Sequence, residues 1–149
     1  MSDIKFGTDG WRALIAKDYT VDNVARVTIA VANWLNNNYN NPTVVLGHDC
    51  RFGGELFSQT VAKTLVHYKI KVKMSYGFVS TPMVSLGVVE ESANLGVVIT
   101  ASHNPPTYNG YKLKFRVIIG CDTGRAVAEC HTFVTFLWHN RRKIEVYGN

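Results

Sequence analysis

Apolar residues recur along this chain with two alternating periods. Val24, Val27, Val31 and Leu35 stand at helical spacing, forming one apolar face on a segment that Thr20 can cap, with Asp22 in its first turn. The expected helix ends near Trp34 or Leu35, because the Asn-rich run from Asn36 to Asn41, closed by Pro42, is a surface loop that breaks it. Thr43-Val44-Val45-Leu46-Gly47 is then a continuous β-branched and aliphatic run, the pattern of a strand buried on both faces. Leu56, Val61, Leu65 and Tyr68 predict a helix from about Glu55 to Tyr68, and Lys71 to Met74 reads as the next strand. Ser80-Thr81-Pro82 is a helix start with Thr81 as cap and Pro82 in the first helical position. That helix is expected to reach Glu90 or Glu91 and to lead into a strand over Leu95 to Thr100. Strand and helix alternate from Thr43 onward, which predicts a single three-layer α/β/α domain around a mixed, mostly parallel sheet with right-handed crossovers.

Length and composition narrow the class without naming a function. A chain of 149 residues holds one domain with a real core, and 46% hydrophobic with 18% charged residues is ordinary for a soluble globular protein. No run approaches the ~18 apolar residues of a membrane span, and Met1 to Gly7 has no signal-peptide apolar region, so a cytoplasmic location and no membrane partner are expected. The formal net charge of +5 suits a phosphate-bearing partner. Lysine and arginine are spread along the chain, the Lys69 to Lys73 alternation reads as the solvent face of a strand, and no nucleic-acid module accompanies the charge. Nucleic acid is therefore not an expected partner. Cys50, Cys121 and Cys130 form no even framework and, with His48 and His131, no common zinc spacing, which leaves reduced thiols as the simplest reading.

The chemistry concentrates between Leu95 and Lys112. An apolar strand stops abruptly at Ser102, with His103 beside it and Lys112 further on, so a hydroxyl nucleophile stands near a proton carrier and a fixed cation. Taken alone, such a loop fits hydrolysis, acyl transfer or mere turn structure. Two other segments add to it. Phe6-Gly7-Thr8-Asp9-Gly10-Trp11-Arg12 is a glycine-rich turn that can bring backbone N–H groups and Arg12 onto an anion, or pair Asp9 with Arg12. His48-Asp49-Cys50-Arg51 sits at the carboxyl end of the Thr43 to Gly47 strand, where ligands bind in open α/β sheets.

Together, Phe6 to Arg12, the hexapeptide Thr100-Ala101-Ser102-His103-Asn104-Pro105, and Tyr108-Asn109-Gly110-Tyr111-Lys112 resemble the α-D-phosphohexomutases, the phosphoglucomutase and phosphomannomutase enzymes. The resemblance covers Ile4 to about Lys114 and implies the first α/β/α domain of that family, residues 1–114, with 115–149 as an atypical tail. It implies an isomerase of the intramolecular phosphotransferase kind, in which Ser102 carries a phosphoryl group. That group passes to a glucose or mannose phosphate, the bound hexose 1,6-bisphosphate reorients, and the other phosphoryl returns to the serine. By the same resemblance Ser102, Lys112, His103 and Arg12 are the catalytic candidates, with Lys112 moving the proton of the sugar hydroxyl and His103 assisting. Thr8, Arg12, Asp49, Arg51 and Asn104 are the candidates for binding phosphate and substrate, and the Ser102 phosphate supplies one ligand to Mg²⁺. A lysine serves as a base only where desolvation and neighbouring cations favour its neutral form. A plain strand-end salt bridge is the alternative reading of Asp49 and Arg51.

The chain also departs from the family. The Asp-Gly-Asp-Gly-Asp-Arg metal loop, the Gly-Glu-x-Ser-Gly sugar loop and the Arg-x-Ser-Gly-Thr phosphate loop do not occur in it. After Lys114 the family's glycine and aromatic segment is replaced by sequence of the kind a frame-shifted or truncated reading would produce. The tail is expected to pack poorly, a well-buried helix from about Ala126 to Leu137 being the observation against it. The chain is accordingly expected to be inactive alone, with self-association through surfaces that other domains would cover. A non-catalytic phosphosugar-binding or subunit-interaction module is the alternative.

Overall fold

The computed structural model describes residues 4–7, 10–120 and 126–132. Its elements are β1 (Trp11–Leu14), α1 (Val21–Asn38), β2 (Thr43–His48), α2 (Gly54–His67), β3 (Lys71–Phe78), α3 (Thr81–Glu90), β4 (Leu95–Ile99), β5 (Tyr108–Gly120) and β6 (Ala126–Thr132). Along the sheet the order is β1-β5-β4-β2-β3, with β6 also on β5. Helix α1 begins where the pattern predicts, Thr20 accepting from the Asn23 N–H at 3.2 Å. It continues to Asn38, a turn past the expected end, where the Asn38 side chain donates to the Trp34 carbonyl at 2.7 Å and the Tyr39 N–H donates to the Leu35 carbonyl at 2.9 Å.

Side-chain alternation along the strands sorts the helices to two faces. Val44, Leu46, Val97, Ile99, Tyr111, Leu113 and Phe115 meet α1 and α2 in the main core. On the other face α3 lays Val84 and Val88 over Gly47 and Gly96, glycines that let the helix approach closely. The three-layer α/β/α expectation is met, and the sheet is mixed. Its parallel part is smaller than expected: β2 pairs parallel with β3 and β4, whereas β1–β5, β4–β5 and β5–β6 are antiparallel. The physical reason lies in the connections. Helices α2 and α3 carry the chain over the sheet between parallel strands, while the short segment 100–107 turns β4 straight back into β5.

Two local expectations need correction. The cap of α3 is Ser80, not Thr81: the Ser80 hydroxyl accepts from the Met83 N–H at 3.4 Å and Thr81 is already helical. Part of the Phe6 to Arg12 loop is strand, because Trp11 to Leu14 pairs with Tyr108 to Tyr111. Strand β5 runs on past Lys114 and Ala126–Thr132 pairs with it; the rest of the tail, residues 121–125 and 133–149, on which the expectation of poor packing falls, lies outside the described residues. No helix among the described residues is long and apolar enough to cross a membrane.

Candidate active site

The carboxyl ends of β2 and β4 lie side by side, His48 opposite Ile99, so the loops that follow them meet. The Asp49 N–H donates to the Ile99 carbonyl at 3.2 Å, joining the two loops at their root. Thr100, buried at the end of β4, connects them again: its hydroxyl donates to Asp49 Oδ2 and accepts the Ser102 N–H at 3.0 Å. A polar side chain at the end of an apolar strand has to find such partners when water is excluded.

Ser102 follows in the left-handed region, φ +56°, a conformation that costs a non-glycine residue energy unless its surroundings hold it. Its surroundings do so. Arg51 Nη2 donates to the Ser102 carbonyl at 2.6 Å and to the Asn104 carbonyl at 2.7 Å, and Nη1 donates to Pro105 at 2.9 Å and Tyr108 at 3.3 Å. Nε faces Asp49 Oδ2 at 3.5 Å, and Asp49 Oδ1 accepts the Arg51 backbone N–H at 3.0 Å. Both alternatives for Asp49 and Arg51 thus have a geometric basis, since they are paired at the strand end and at the same time border the serine loop. Arg12 arrives from β1 and donates to Asn104 Oδ1 at 3.1 Å, tying the first motif to the hexapeptide across 92 positions.

Ser102 and His103 are exposed at the tip of the loop, and Asn104 is half-buried. Lys112 is carried by β5 opposite Val98, 5% exposed. Thr8 lies outside the described residues, as does Asp9. Ser102, Arg12, Asp49, Arg51 and Asn104 are therefore gathered into one hydrogen-bonded set, with Lys112 on the strand that leaves it. Cys50 is an exposed free thiol between Asp49 and Arg51.

Residues 3–124 match the family model described as phosphoglucomutase/phosphomannomutase, alpha/beta/alpha domain I. The chain belongs to the phosphoglucomutase/phosphomannomutase family. A phosphoglucomutase of Staphylococcus saprophyticus is 37% identical over 113 residues, 74% of this chain and 20% of that protein. One from Staphylococcus aureus is 34% identical over 118 residues, 75% of this chain and 21% of that protein. Among solved structures, a Thermus thermophilus protein assigned as a phosphomannomutase superposes with a TM-score of 0.74 at 37% identity, covering 76% of this chain and 26% of that one. The chain thus spans about a fifth of the length of these curated relatives.

Within this phosphohexomutase domain I, sequence reasoning missed two positioning groups. Thr100 was visible only as a hexapeptide member, and Asn109, fully buried, donates from its amide to the Phe52 carbonyl at 3.2 Å, holding the loop after β2 against β5. The signal that could have found both is a polar residue beside an apolar strand. Beneath the loops, burial pushes the Tyr19 phenol well above its ordinary range, with Tyr111 and then Asp49 adding to the effect. The Tyr19 hydroxyl has no hydrogen-bond partner among the described residues. Burial likewise raises Tyr111, opposed by the Thr28 hydroxyl at 3.3 Å.

Proposed function

We propose that Ser102 carries a transferable phosphoryl group and that this chain supplies the phosphoserine part of a hexose-phosphate mutase site. The observation that carries this reading is the exposed Ser102 held in a left-handed turn by Thr100 on its N–H and Arg51 on its carbonyl. A fixed nucleophile suits phosphoryl transfer, which depends on positioning and charge stabilisation more than on covalent help from the protein. In the loading direction the Ser102 oxygen bonds to phosphorus as the bond from phosphorus to the sugar oxygen breaks, and the serine proton passes to that sugar oxygen. The unloading direction reverses each change. Lys112 is the group assigned to carry the proton, with His103 assisting. Arg12 faces the transferring phosphoryl as a cation, and Thr8 and Asn104 complete the phosphate contacts.

Mg²⁺ belongs to the proposal through the family. The residues of this chain do not suit a complete site, since no cluster of three or more His, Cys, Asp or Glu able to hold a metal occurs among the described residues and Asp49 is committed to Thr100 and Arg51. A phosphoserine oxygen would give one ligand, and further oxygen ligands must come from elsewhere. With the metal, sugar and distal-phosphate loops missing from the sequence, the chain alone is proposed not to turn over. Incubation with glucose or mannose 1-phosphate, Mg²⁺ and the hexose 1,6-bisphosphate should give no catalytic accumulation of hexose 6-phosphate, at most the one equivalent per chain that a single loading of Ser102 from the bisphosphate releases. Sustained formation of hexose 6-phosphate by the unmodified chain would overturn the incapacity.

One observation favours a second reading, an interaction module. Phe52, 80% exposed, rims with Val21 and Leu56 an apolar cavity of about 580 Å³ between the turn after β1 and the start of α2. A specific oligomer in sedimentation without any phosphate on Ser102 would support that reading over the first.

A further inference from the structure

We propose that Arg51 is a positioning residue that fixes the Ser102 loop, rather than a ligand of the substrate phosphate. The inference rests on the reading of Ser102 as the phosphoryl carrier and goes beyond it by assigning how the serine is held. An arginine has five N–H donors in a rigid planar fork. Here Nη1 and Nη2 are divided among four carbonyls, those of Ser102, Asn104 and Pro105 in the loop and of Tyr108 at the start of β5, and Nε faces the Asp49 carboxylate. A phosphate could take one of these donors only by stripping a carbonyl of its partner.

The four carbonyls converge on one cation, and apart from Arg51 the loop has few internal ties, among them Asn104 N–H to Ala101 and Tyr108 N–H to Pro105. The bond at the Ser102 carbonyl fixes the peptide plane after the serine, and Thr100 fixes the one before it. Both restraints meet at Asp49, which accepts from Thr100 and pairs with Arg51. The direction of the serine hydroxyl is therefore set by a bracket formed from the end of β4 and the loop after β2. The bracket needs the fork shape of guanidinium as well as its charge. Lysine, a point charge with three donors, has too few N–H groups to bond four carbonyls and face a carboxylate at once.

The test compares the full chain with Arg51→Lys and Arg51→Ala, measuring phosphoryl uptake on Ser102 from glucose 1,6-bisphosphate with Mg²⁺ and, separately, amide hydrogen exchange at Ser102 and Asn104. Both variants should lose about a hundredfold in maximal uptake rate, with half-saturation by the bisphosphate moving less than about twofold. Both should also exchange faster at the two amides. An Arg51→Lys variant that keeps its maximal rate while half-saturation rises several-fold would identify a phosphate ligand and overturn the proposal. If the unmodified chain takes up no phosphoryl, the mutase reading fails on its own, and exchange then decides the bracket: unchanged protection in Arg51→Lys overturns it and lost protection supports it. Should both Arg51 variants fail to fold by circular dichroism, Thr100→Val loosens the opposite side. It is then expected to show the same loss of rate and protection, and an unaltered rate would count against the bracket.

Discussion

Gly110 links the second motif to the first, and replacing it with alanine is the sharpest structural perturbation the fold offers. A Cβ at this position would lie 2.6 Å from the Thr100 carbonyl oxygen, 3.0 Å from Arg12 Cγ and 3.1 Å from the Trp11 carbonyl oxygen. Two of the three contacts are backbone of the flanking strands, so the clash cannot be relieved by rotating a side chain. Restoring ordinary contact moves β5 away from its neighbours by several tenths of an ångström and strains the 2.9 Å bond from the Thr100 N–H to the Gly110 carbonyl. Overpacking of this kind costs about 1–3 kcal/mol, and a weakened ladder bond adds roughly 1 kcal/mol. Gly110→Ala should therefore lose about 3 kcal/mol, a large share of the roughly 5–15 kcal/mol typical of a domain, and melt about 10 °C lower. Urea unfolding followed by circular dichroism and tryptophan fluorescence measures it. Gly7→Ala is the control, since among the described residues its Cβ would meet the Gly10 carbonyl oxygen at an ordinary 3.6 Å. If Gly110→Ala were as stable as the parent, the claimed interlock of β1, β5 and β4 would be wrong.

The same assay separates the two helix-cap assignments. Ser80→Ala should cost about 1 kcal/mol and Thr81→Ala only a few tenths, and the reverse order would restore Thr81 as the cap. Alkaline titration tests the buried phenols. Because burial raises Tyr19 and Tyr111, their neutral forms support the fold fully below about pH 10, where the unfolded phenols begin to ionise, and that support is lost as pH rises through the folded values. The urea midpoint should fall above pH 10, with a shallower fall in Tyr111→Phe; an identical alkaline limb in the variant would contradict this. Sedimentation tests the apolar rim, since any self-association of the chain should weaken in Phe52→Ser, and association indifferent to that change would exclude this surface.

What the sequence revealed and what it withheld follow from the range of the interactions. The Thr20 cap, the apolar face of α1 and the buried runs of β2 and β4 are encoded by neighbours within a few positions, and each was legible. Strand β1 was not. Four residues carry too little periodicity, and Trp11 to Leu14 is a strand because of partners at Tyr108 to Tyr111. The cap of α3 was missed by one residue, because Ser80 and Thr81 offer equivalent hydroxyls ahead of Pro82. At the site, the Ser102 loop and the glycine-rich first motif could be read from residue types, but their junction through Arg12 and Asn104 could not. For Arg51 the family resemblance offered a substrate contact and the residue pattern a strand-end salt bridge with Asp49, and the sequence could not choose between them. Only the carbonyl geometry shows where its donors go.

The central claim is that Ser102 accepts and carries a phosphoryl group. Its most direct test is to expose the full chain to a hexose 1,6-bisphosphate bearing radiolabelled phosphoryl groups, with Mg²⁺, and to map the label by proteolysis. The account predicts label on the peptide containing Ser102 and none in Ser102→Ala. An unlabelled chain, or equal labelling of the Ser102→Ala variant, would contradict it.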